Sequence, residues 1–470
     1  MDRREFLKAG GAAAGMTLAG GAFAAGGAAD KLALLGGSPV LGGKAAETAG
    51  HIFDWPIVNS AMREASDRVL ATRAMSGRDI AIEFEQKFAA WNGTKYALSC
   101  LNGTTALNTA FYAIGIKPGD EVICPSITMW ASCMGVVNLG GTVVFCDVRK
   151  EDFNIDPASF EAHITPRTKA VVVVHYMGSP CDMDPIMAIA RKHGLKVVED
   201  VSHAQGGLYK GRKLGTIGDV GAMSLMSGKS FAIGEAGMLV TNSKEIYEKS
   251  VRWGMYIRLH QVFPDTDAQL KRTREVPLGG IKNRLNQCTC AVGLEQLKKY
   301  DAECAEIDKA MKYYHAGIAD VKGLKMIYPT WANSNKAGWY SSRCLYDPEA
   351  FGGCPVTVFA AALNAETGSW AYSAGCNFPL HWSSVFDDED IFENGLPPSR
   401  RFLPDGVTPK KLAGQLPNAE WVNPHCLGDP WFRRFDKPVI DRYIEAVHKV
   451  AANVAALKSY KGDAGWAFWS

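Results

Sequence analysis

The sequence has little net charge and no pattern that indicates a nucleic-acid or membrane partner. It contains 51 Lys and Arg residues against 49 Asp and Glu residues, which gives a formal net charge of +2. Neither nucleic acid nor an anionic membrane surface is therefore predicted as a partner, because both require a strongly basic face. The chain also has no internal repeat and, beyond its first residues, no low-complexity stretch.

The cysteines do not form any metal-binding or disulfide pattern. Twelve are present, scattered along the chain without a CxxC motif, and only Cys288 and Cys290 are close together. In a chain of 470 residues such spacing does not indicate a disulfide framework. We predict no metal site and expect most of these cysteines to be small buried hydrophobes.

The composition is that of an ordinary globular protein with a large core. Hydrophobic residues make up 47% of the chain and charged residues 21%. This length indicates two domains. We place a large domain with an N-terminal arm at 31–300 and a smaller C-terminal domain at 301–470.

Residues 1–30 have the pattern of a twin-arginine signal peptide. Arg3 and Arg4 precede an Ala/Gly-rich apolar run at 9–21, and Ala22-Phe23-Ala24 matches a cleavage site. The run is too short and too rich in glycine to remain as a membrane anchor. We therefore predict a periplasmic or secreted protein, exported after folding; the alternative is a frayed N-terminal helix of a cytosolic enzyme.

Short apolar runs alternate with helical segments through the first half of the chain. The runs at 121–126, 142–147 and 169–178 have the composition of buried strands. This βαβ alternation predicts an α/β fold with a mostly parallel central sheet covered by helices.

Two chemically important residues follow strands of this predicted sheet. Asp200 ends the apolar run that begins at Val197, and Lys229 comes shortly after the run at 220–226. Open α/β sheets bind ligands at the carboxyl ends of their strands. An amine and a carboxylate are what pyridoxal phosphate requires, the first for a Schiff base and the second to keep its ring nitrogen protonated. Without further context, Lys229 could also be an ordinary surface lysine and Asp200 a member of an ordinary surface ion pair.

The surrounding residues resemble a known family. Asp200-Val-Ser-His203, Ser224, Lys229 and Gly234-Glu-Ala-Gly237 resemble the DegT/StrS-type sugar aminotransferases, which are fold-type-I pyridoxal phosphate enzymes. The resemblance extends from Leu32 to the final helix. It implies a large domain with a mostly parallel sheet and a smaller α+β domain. Lys229 would hold the cofactor and Asp200 its ring nitrogen, while glutamate donates the amino group to a keto sugar or keto cyclitol.

Four further residues are predicted to contact the cofactor. Gly103 and Thr104 open a predicted helix, where free N–H groups and the helix dipole favour phosphate, although such a turn is also an ordinary cap. Ser224 is predicted as a third phosphate ligand. His203 has the same offset from Asp200 as a residue that contacts the cofactor ring in the resembling enzymes.

The sequence leaves two neighbouring residues as candidates for covering the cofactor ring. The family places an aromatic residue directly after a threonine, but this chain has Met129 there and Trp130 next. Trp130 stacks on the ring after a local shift, or Met129 covers it through its thioether, or Trp130 is a core residue.

The segment 279–285 resembles the family segment that enters the active site of the neighbouring subunit. Lys282 and Arg284 are its cations, so the resemblance implies a homodimer with sites at the interface; a basic surface turn is the alternative.

The stretch 387–417, acidic and rich in proline, is predicted as a long surface loop, either a lid or an insertion.

Two other functions compete with the aminotransferase. A dehydratase of the same family is disfavoured because those relatives lack the Schiff-base lysine. A secreted protein that binds the cofactor or a sugar without turnover is the second. The sequence does not identify the acceptor, and export argues against a nucleotide-linked sugar because those are chiefly cytosolic.

Overall fold

A computed structural model describes most of the chain. The described residues are 31–386, 388–390, 393, 395–397, 399–404, 406–407, 412 and 414–462. The predicted signal peptide lies outside them, and the predicted surface loop at 387–417 lies only partly within them. Within these ranges no helix combines the length and apolarity needed to cross a membrane.

The strands occur in two groups along the chain. In order they are β1 (Tyr96–Cys100), β2 (Glu121–Pro125), β3 (Thr142–Cys146), β4 (Thr168–Val174), β5 (Lys196–Asp200), β6 (Leu208–Tyr209), β7 (Arg212–Lys213), β8 (Val220–Ser224), β9 (Gly237–Thr241), β10 (Leu324–Met326), β11 (Arg343–Tyr346), β12 (Ser373–Ala374) and β13 (Cys426–Gly428).

The α-helices alternate with the strands of the first group and continue beyond it. They are α1 (Lys44–Ala49), α2 (Ser60–Thr72), α3 (Asp79–Asn92), α4 (Gly103–Ile114), α5 (Ala131–Asn138), α6 (Pro157–Ala162), α7 (Met183–His193), α8 (Lys244–Gly254), α9 (Leu259–Val262), α10 (Ala268–Thr273), α11 (Gln287–Gly317), α12 (Val356–Thr367), α13 (Pro417–Val422) and α14 (Lys437–Ala452).

The main sheet has seven strands in the order β1-β9-β8-β5-β4-β2-β3. The pairs β8–β5, β5–β4, β4–β2 and β2–β3 are parallel, whereas β9 runs antiparallel to both of its neighbours. The prediction of a mostly parallel sheet covered by helices is confirmed. Because β9 is the one strand of this sheet that runs the other way, the carboxyl ends of the remaining six strands meet at one edge.

The sheet is buried on both faces. Along β4, Val172 and Val174 belong to one hydrophobic core, and Val171 and Val173 belong to the core on the opposite face. This division follows from the alternation of side chains along a strand. A sheet covered on both faces explains why β4 is an almost continuous run of valines.

A second, four-stranded antiparallel sheet in the order β10-β11-β13-β12 forms the centre of the C-terminal part. Its core includes residues from the end of α11, such as Met311 and Tyr314, together with Leu32, Leu41 and Ile52 of the N-terminal arm. Helix α11 passes through residue 300, so the predicted domain boundary lies within a helix. The division into two domains stays a prediction.

The C-terminal part is fixed to the carboxyl edge of the main sheet beside β2. Ile127 and Pro379 form an isolated bridge. The hydroxyl of Ser126 lies 2.6 Å from Nδ1 of His381, whose Nε2 lies 3.1 Å from Oε1 of Glu420. These contacts place residues of the C-terminal part next to the carboxyl end of β2. A cleft lies between the two parts at this edge of the sheet.

Candidate active site

Asp200 is the last residue of β5 and its carboxylate is held by two donors. Oδ2 accepts a hydrogen bond of 2.7 Å from the hydroxyl of Ser132, and Oδ1 accepts one of 3.0 Å from the N–H of Ser202. The hydroxyl of Thr128 lies 2.8 Å from that of Ser132 and orients it. Asp200 is buried, yet it lines the cleft. Its carboxylate is therefore fixed in direction, with acceptor capacity left for a ligand.

Lys229 lies in the loop after β8 and has no carboxylate partner among the described residues. Its N–H donates to the Met226 carbonyl at 2.8 Å, and its own carbonyl accepts the indole N–H of Trp55 at 2.8 Å. Nζ lies 4.2 Å from the centre of the Tyr340 ring. A buried lysine without an ion pair is suited to covalent chemistry because no acid blocks its amine. Trp55 belongs to the arm, for which the sequence indicated no role.

The predicted phosphate ligands Gly103 and Thr104 begin helix α4. Asn102 and Thr105 form a reciprocal capping box. These bonds leave the N–H groups of Gly103 and Thr104 without an acceptor in the described part of the chain. A Cβ added to Gly103 would lie 2.7 Å from Cβ of Ser224 and 2.9 Å from its Cα. The helix start therefore touches Ser224, and the three predicted ligands form one group.

His203 lies in the same cleft in an uncharged form. Its Nδ1 accepts the N–H of Met177 at 3.3 Å, and its ring centre is 4.6 Å from that of Tyr340. Burial lowers the pKa of His203 well below its usual range, and the positive charges of Lys229 and Arg343 lower it further. The imidazole is thus uncharged at neutral pH.

Both candidates for covering the cofactor ring line the cleft. Met129 is 43% exposed and Trp130 is 49% exposed. The alternative that Trp130 is a core residue is therefore wrong. The choice between Met129 and Trp130 stays open, because either side chain can move over a ligand.

These residues surround one cavity of about 980 Å³. It contains the predicted residues Gly103, Thr104, Trp130, Asp200, His203, Ser224 and Lys229. The carboxyl ends of β5 and β8, the start of α4 and the C-terminal residues 340–343 and 376–378 form its walls.

Lys282 and Arg284 do not line this cavity within one chain. Their cationic groups lie 5.6 Å and 6.0 Å from the ring of Tyr256. Asn283 between them is buried and accepts the N–H of Leu101 at 3.0 Å. The loop is thus anchored just before the helix that carries the phosphate ligands, while its two cations do not line this chain's cavity.

The sequence did not identify Gln205, which supports the loop containing Lys229. Its side-chain amide donates to the Ser224 carbonyl at 2.6 Å, and its Oε1 accepts the hydroxyl of Ser230 at 2.6 Å. The hydroxyl of Tyr300 lies 2.8 Å from the Gln205 carbonyl. The only indication in the sequence was a polar residue two places after His203 in an otherwise buried segment.

Tyr340 and Arg343 were also missed as site residues. They belong to the predicted smaller C-terminal domain, and no local motif distinguishes them. An arginine among residues that form a buried strand was the one unusual feature there. Their position beside Lys229 results from the packing of the C-terminal part on the sheet edge.

The residues of the cavity fit pyridoxal phosphate. The cavity offers an unpaired amine on Lys229, an oriented carboxylate on Asp200 and free N–H donors at a helix start, which are the groups that this cofactor requires. The absence of side chains at Gly103 and Gly237 permits this arrangement, because a Cβ on Gly237 would lie 2.2 Å from the Asn102 carbonyl oxygen. Within the described ranges no His, Cys, Asp and Glu cluster could hold a metal ion.

Known proteins share both the sequence pattern and the fold. A sequence profile of the DegT/DnrJ/EryC1/StrS aminotransferase family matches residues 58–408. The chain is 33% identical over 346 residues to the L-glutamine:2-deoxy-scyllo-inosose aminotransferase of Streptoalloteichus tenebrarius, an alignment that covers 71% of this chain and 79% of that protein. It is 40% identical over 238 residues to the GDP-perosamine synthase of Caulobacter vibrioides. That alignment covers 51% of this chain and 62% of the relative, less than two thirds of its length.

Solved structures agree with this result. The aminotransferase of Psychrobacter cryohalolentis superimposes with a TM-score of 0.71 at 28% identity, covering 86% of this chain and 99% of the other. DesV of S. venezuelae, solved with a ketimine intermediate, gives a TM-score of 0.67 at 27% identity and covers 88% and 98% of the two chains. The chain therefore has the fold-type-I aminotransferase fold and belongs to the DegT/DnrJ/EryC1/StrS aminotransferase family.

Proposed function

We propose that the protein is a pyridoxal phosphate-dependent aminotransferase that transfers an amino group from an amino acid, glutamate by resemblance, to a keto sugar or keto cyclitol. One observation carries the proposal: Lys229, Asp200 and the free N–H groups of Gly103 and Thr104 line one cavity. Relatives that act on a sugar and on a cyclitol support the acceptor class.

The chain's own residues have separable roles in this reaction. When bound, pyridoxal phosphate supplies an electron sink for the carbon that loses a proton. Lys229 Nζ would hold the cofactor covalently, and as a free amine it would accept the proton that leaves the donor Cα. Asp200 keeps a proton on the ring nitrogen. The start of α4 and Ser224 bind the phosphate.

The first experiment tests the donor half of the reaction. The purified protein with added pyridoxal phosphate should show an absorbance band that shifts on addition of glutamate, with release of 2-oxoglutarate. Lys229→Ala should abolish both while the protein stays folded. Lys213→Ala is a matched control, because that amine donates to the Trp91 carbonyl outside the cavity. A persisting Schiff-base band in Lys229→Ala would reassign the lysine, and no shift with any amino donor in the wild type would favour the non-catalytic binding protein.

We also propose a homodimer in which Lys282 and Arg284 reach the site of the partner subunit. Lys282 is exposed, and neither cation lines the cavity of its own chain, which supports this arrangement. Charge-assisted bonds to phosphate would hold the two cations in the partner's site. Lys229→Ala and the double variant Lys282→Ala/Arg284→Ala should each be nearly inactive. Refolded together they should regain activity, because some heterodimers contain one intact site. A monomer in light scattering, or a double variant with wild-type activity, contradicts the proposal.

Export through the twin-arginine route is a further proposal, supported by Arg3 and Arg4 and the apolar run that follows. The full-length protein should accumulate in the periplasm or medium of a bacterial host. The substitution of both arginines by lysine should retain it in the cytoplasm. Retention of both proteins in the cytoplasm would favour the alternative of a frayed N-terminal helix, and equal export of both would contradict the twin-arginine route.

A further inference from the structure

A second cavity, of about 550 Å³, adjoins the cavity of the proposed active site. The two cavities share the wall residues Tyr340, Ser341 and Arg343. Gly228, which precedes Lys229 in the chain, also lines the second cavity. The proposed mechanism gives this space no role. A ligand whose reacting end lies at Lys229 can therefore extend directly into it.

Four aromatic side chains surround the second cavity, namely those of Phe53, Tyr340, Trp370 and Trp431. Trp431 is held in place because its indole N–H donates to the Gly338 carbonyl at 2.8 Å, and its ring lies 5.3 Å from that of Tyr340 at 85°. Trp370 is 84% exposed, more than any other large hydrophobic residue in the described ranges. These rings offer flat apolar surfaces to a ligand that is itself partly polar.

Asp429 lines the same cavity and has one carboxylate oxygen without a hydrogen bond. The residue is 5% exposed, and its Oδ2 lies 3.1 Å from Nε2 of His315 and accepts the Ser342 hydroxyl at 3.2 Å. Oδ1 is buried and has no hydrogen-bond partner among the residues that the structure describes. The thiol of Cys344, whose pKa is raised by burial and by the charge of Asp429, donates to the Leu427 carbonyl at 3.8 Å and is a weak donor. A buried acceptor left in this state indicates a ligand that brings a donor.

The charges around the cavity distinguish two classes of ligand. Arg343 and Arg433 also line it, and the guanidinium of Arg433 lies 3.1 Å from the centre of the Trp431 ring. These cations are compatible with the diphosphate of a nucleotide. A diphosphate, however, has no hydrogen for the free oxygen of Asp429 and is repelled by its charge. A neutral saccharide ring brings hydroxyl donors for the carboxylate and C–H groups for the aromatic faces.

We propose that the second cavity binds a neutral saccharide ring, and that the amino-group acceptor is a glycoside. Its keto ring reacts at Lys229, while the next ring contacts Trp370 and Asp429. The position of the keto ring rests on the proposed function. The binding of the second ring does not require turnover and is tested separately.

Binding is measured first, by saturation-transfer NMR on the full-length protein loaded with pyridoxal phosphate. The probes are three neutral disaccharides: maltose, cellobiose and N,N′-diacetylchitobiose. At least one should bind with a millimolar or lower Kd, the range for a few contacts to one ring. Trp370→Ala should raise this Kd by about 10-fold, because it removes an aromatic face. The variant should fold, since the indole is exposed.

Asp429→Asn tests the carboxylate. It should raise the Kd of the same disaccharide by about 10-fold, because hydrogen bonds to an ionised group are stronger than those to an amide. The amide oxygen can take the place of Oδ2 and keep the contacts to His315 and Ser342, so the fold should be retained. An unchanged Kd in either Trp370→Ala or Asp429→Asn overturns the proposal.

Trp382→Ala is the matched control. Trp382 is 45% exposed, but it lines neither of the two cavities. Its loss removes an exposed indole elsewhere on the surface and should leave the Kd of the disaccharide unchanged. Equal weakening in Trp382→Ala and Trp370→Ala would mean that the probes bind exposed tryptophans without a defined site, which overturns the proposal.

Nucleotides are the competing ligands. GDP and UDP are titrated against the bound disaccharide. We expect neither to displace it. A nucleotide that displaces the disaccharide, binds more weakly to Trp370→Ala and binds more tightly to Asp429→Asn would identify a nucleotide site and overturn the proposal. The absence of saturable binding of all three disaccharides overturns it as well.

Turnover then connects the second ring to the acceptor. With a keto disaccharide as acceptor, Trp370→Ala should raise KM by about 10-fold with little change in kcat, whereas the corresponding keto monosaccharide should react equally well with both proteins. Equal effects on the two acceptors contradict a glycoside acceptor. Disaccharide binding that depends on Trp370 and Asp429, without transfer of an amino group to any acceptor, would contradict the proposed function and leave the saccharide site standing.

Discussion

Replacement of Asp200 by asparagine tests whether its negative charge, rather than its shape, is required. Each carboxylate oxygen of Asp200 already accepts one hydrogen bond, from the Ser132 hydroxyl at 2.7 Å and from the Ser202 N–H at 3.0 Å. The amide of asparagine has only one acceptor oxygen. Its NH₂ group must therefore face either the Ser202 N–H, which can only donate, or the Ser132 hydroxyl, which would have to turn and accept instead.

The expected magnitude follows from two separate effects. An opposite charge at close range shifts a pKa by about 1–3 units, so losing it should slow proton transfer by about 10- to 1,000-fold. The loss of a hydrogen bond to a charged carboxylate, with the rearrangement of the Ser132 hydroxyl, should lower the free energy of unfolding by about 1–3 kcal/mol. The first effect is chemical and the second structural.

A second substitution separates the two effects. Ser132→Ala removes one hydrogen bond to the Asp200 carboxylate but keeps its charge, so this variant shows the structural effect without the chemical one. Thermal unfolding reports stability, and a single-turnover reaction with glutamate, followed by the absorbance of the bound cofactor, reports the rate. Ser132→Ala should lose stability as Asp200→Asn does but should react much faster. An equal loss of rate in the two variants, or near-normal turnover in Asp200→Asn, would refute the role of the charge.

Two further predictions concern the phosphate site and the buried core. Gly103→Ala should raise the Kd for pyridoxal phosphate at least about 10-fold, because its new Cβ would lie 2.7 Å from Cβ of Ser224 and displace the free N–H donors; equilibrium titration checks this. Arg258→Met should lower the free energy of unfolding by about 3–5 kcal/mol, because it leaves the buried Glu85, bonded to it at 2.6 Å, without a counter-charge. Burial raises the pKa of Glu85 and Arg258 opposes this rise. The folded variant therefore binds a proton more tightly than the unfolded chain, and its deficit should be larger at pH 8 than at pH 5.

Each of these predictions has a control within the chain. Gly50→Ala adds a Cβ with no atom within 4 Å and should leave cofactor binding unchanged. Lys87→Met removes an exposed pair with Glu83 at 2.6 Å and should cost no more than about 1 kcal/mol. Wild-type cofactor affinity in Gly103→Ala would mean that the helix start does not bind the phosphate. An equal loss of stability in Arg258→Met and Lys87→Met would contradict the importance of burial.

The sequence by itself determined the features that depend on neighbouring residues. Valine-rich strands, a polar residue at a strand end and a capping turn such as Asn102-Gly103-Thr104 are local patterns. They predicted the parallel sheet, and they placed Asp200, Ser224 and Lys229 at the edge where the cavity lies. The family resemblance extended this local information to cofactor and reaction.

Only the tertiary structure decided which distant residues complete the site. Ser132 orients Asp200, Trp55 holds the Lys229 carbonyl, and Arg343 enters the same cavity from the C-terminal part. Each belongs to a segment without a distinctive local pattern, because its role depends on packing between elements far apart in the chain. That Arg343 has no acidic partner among the described residues is likewise a property of its three-dimensional surroundings, because the sequence gives the charge but not the groups that pack against it.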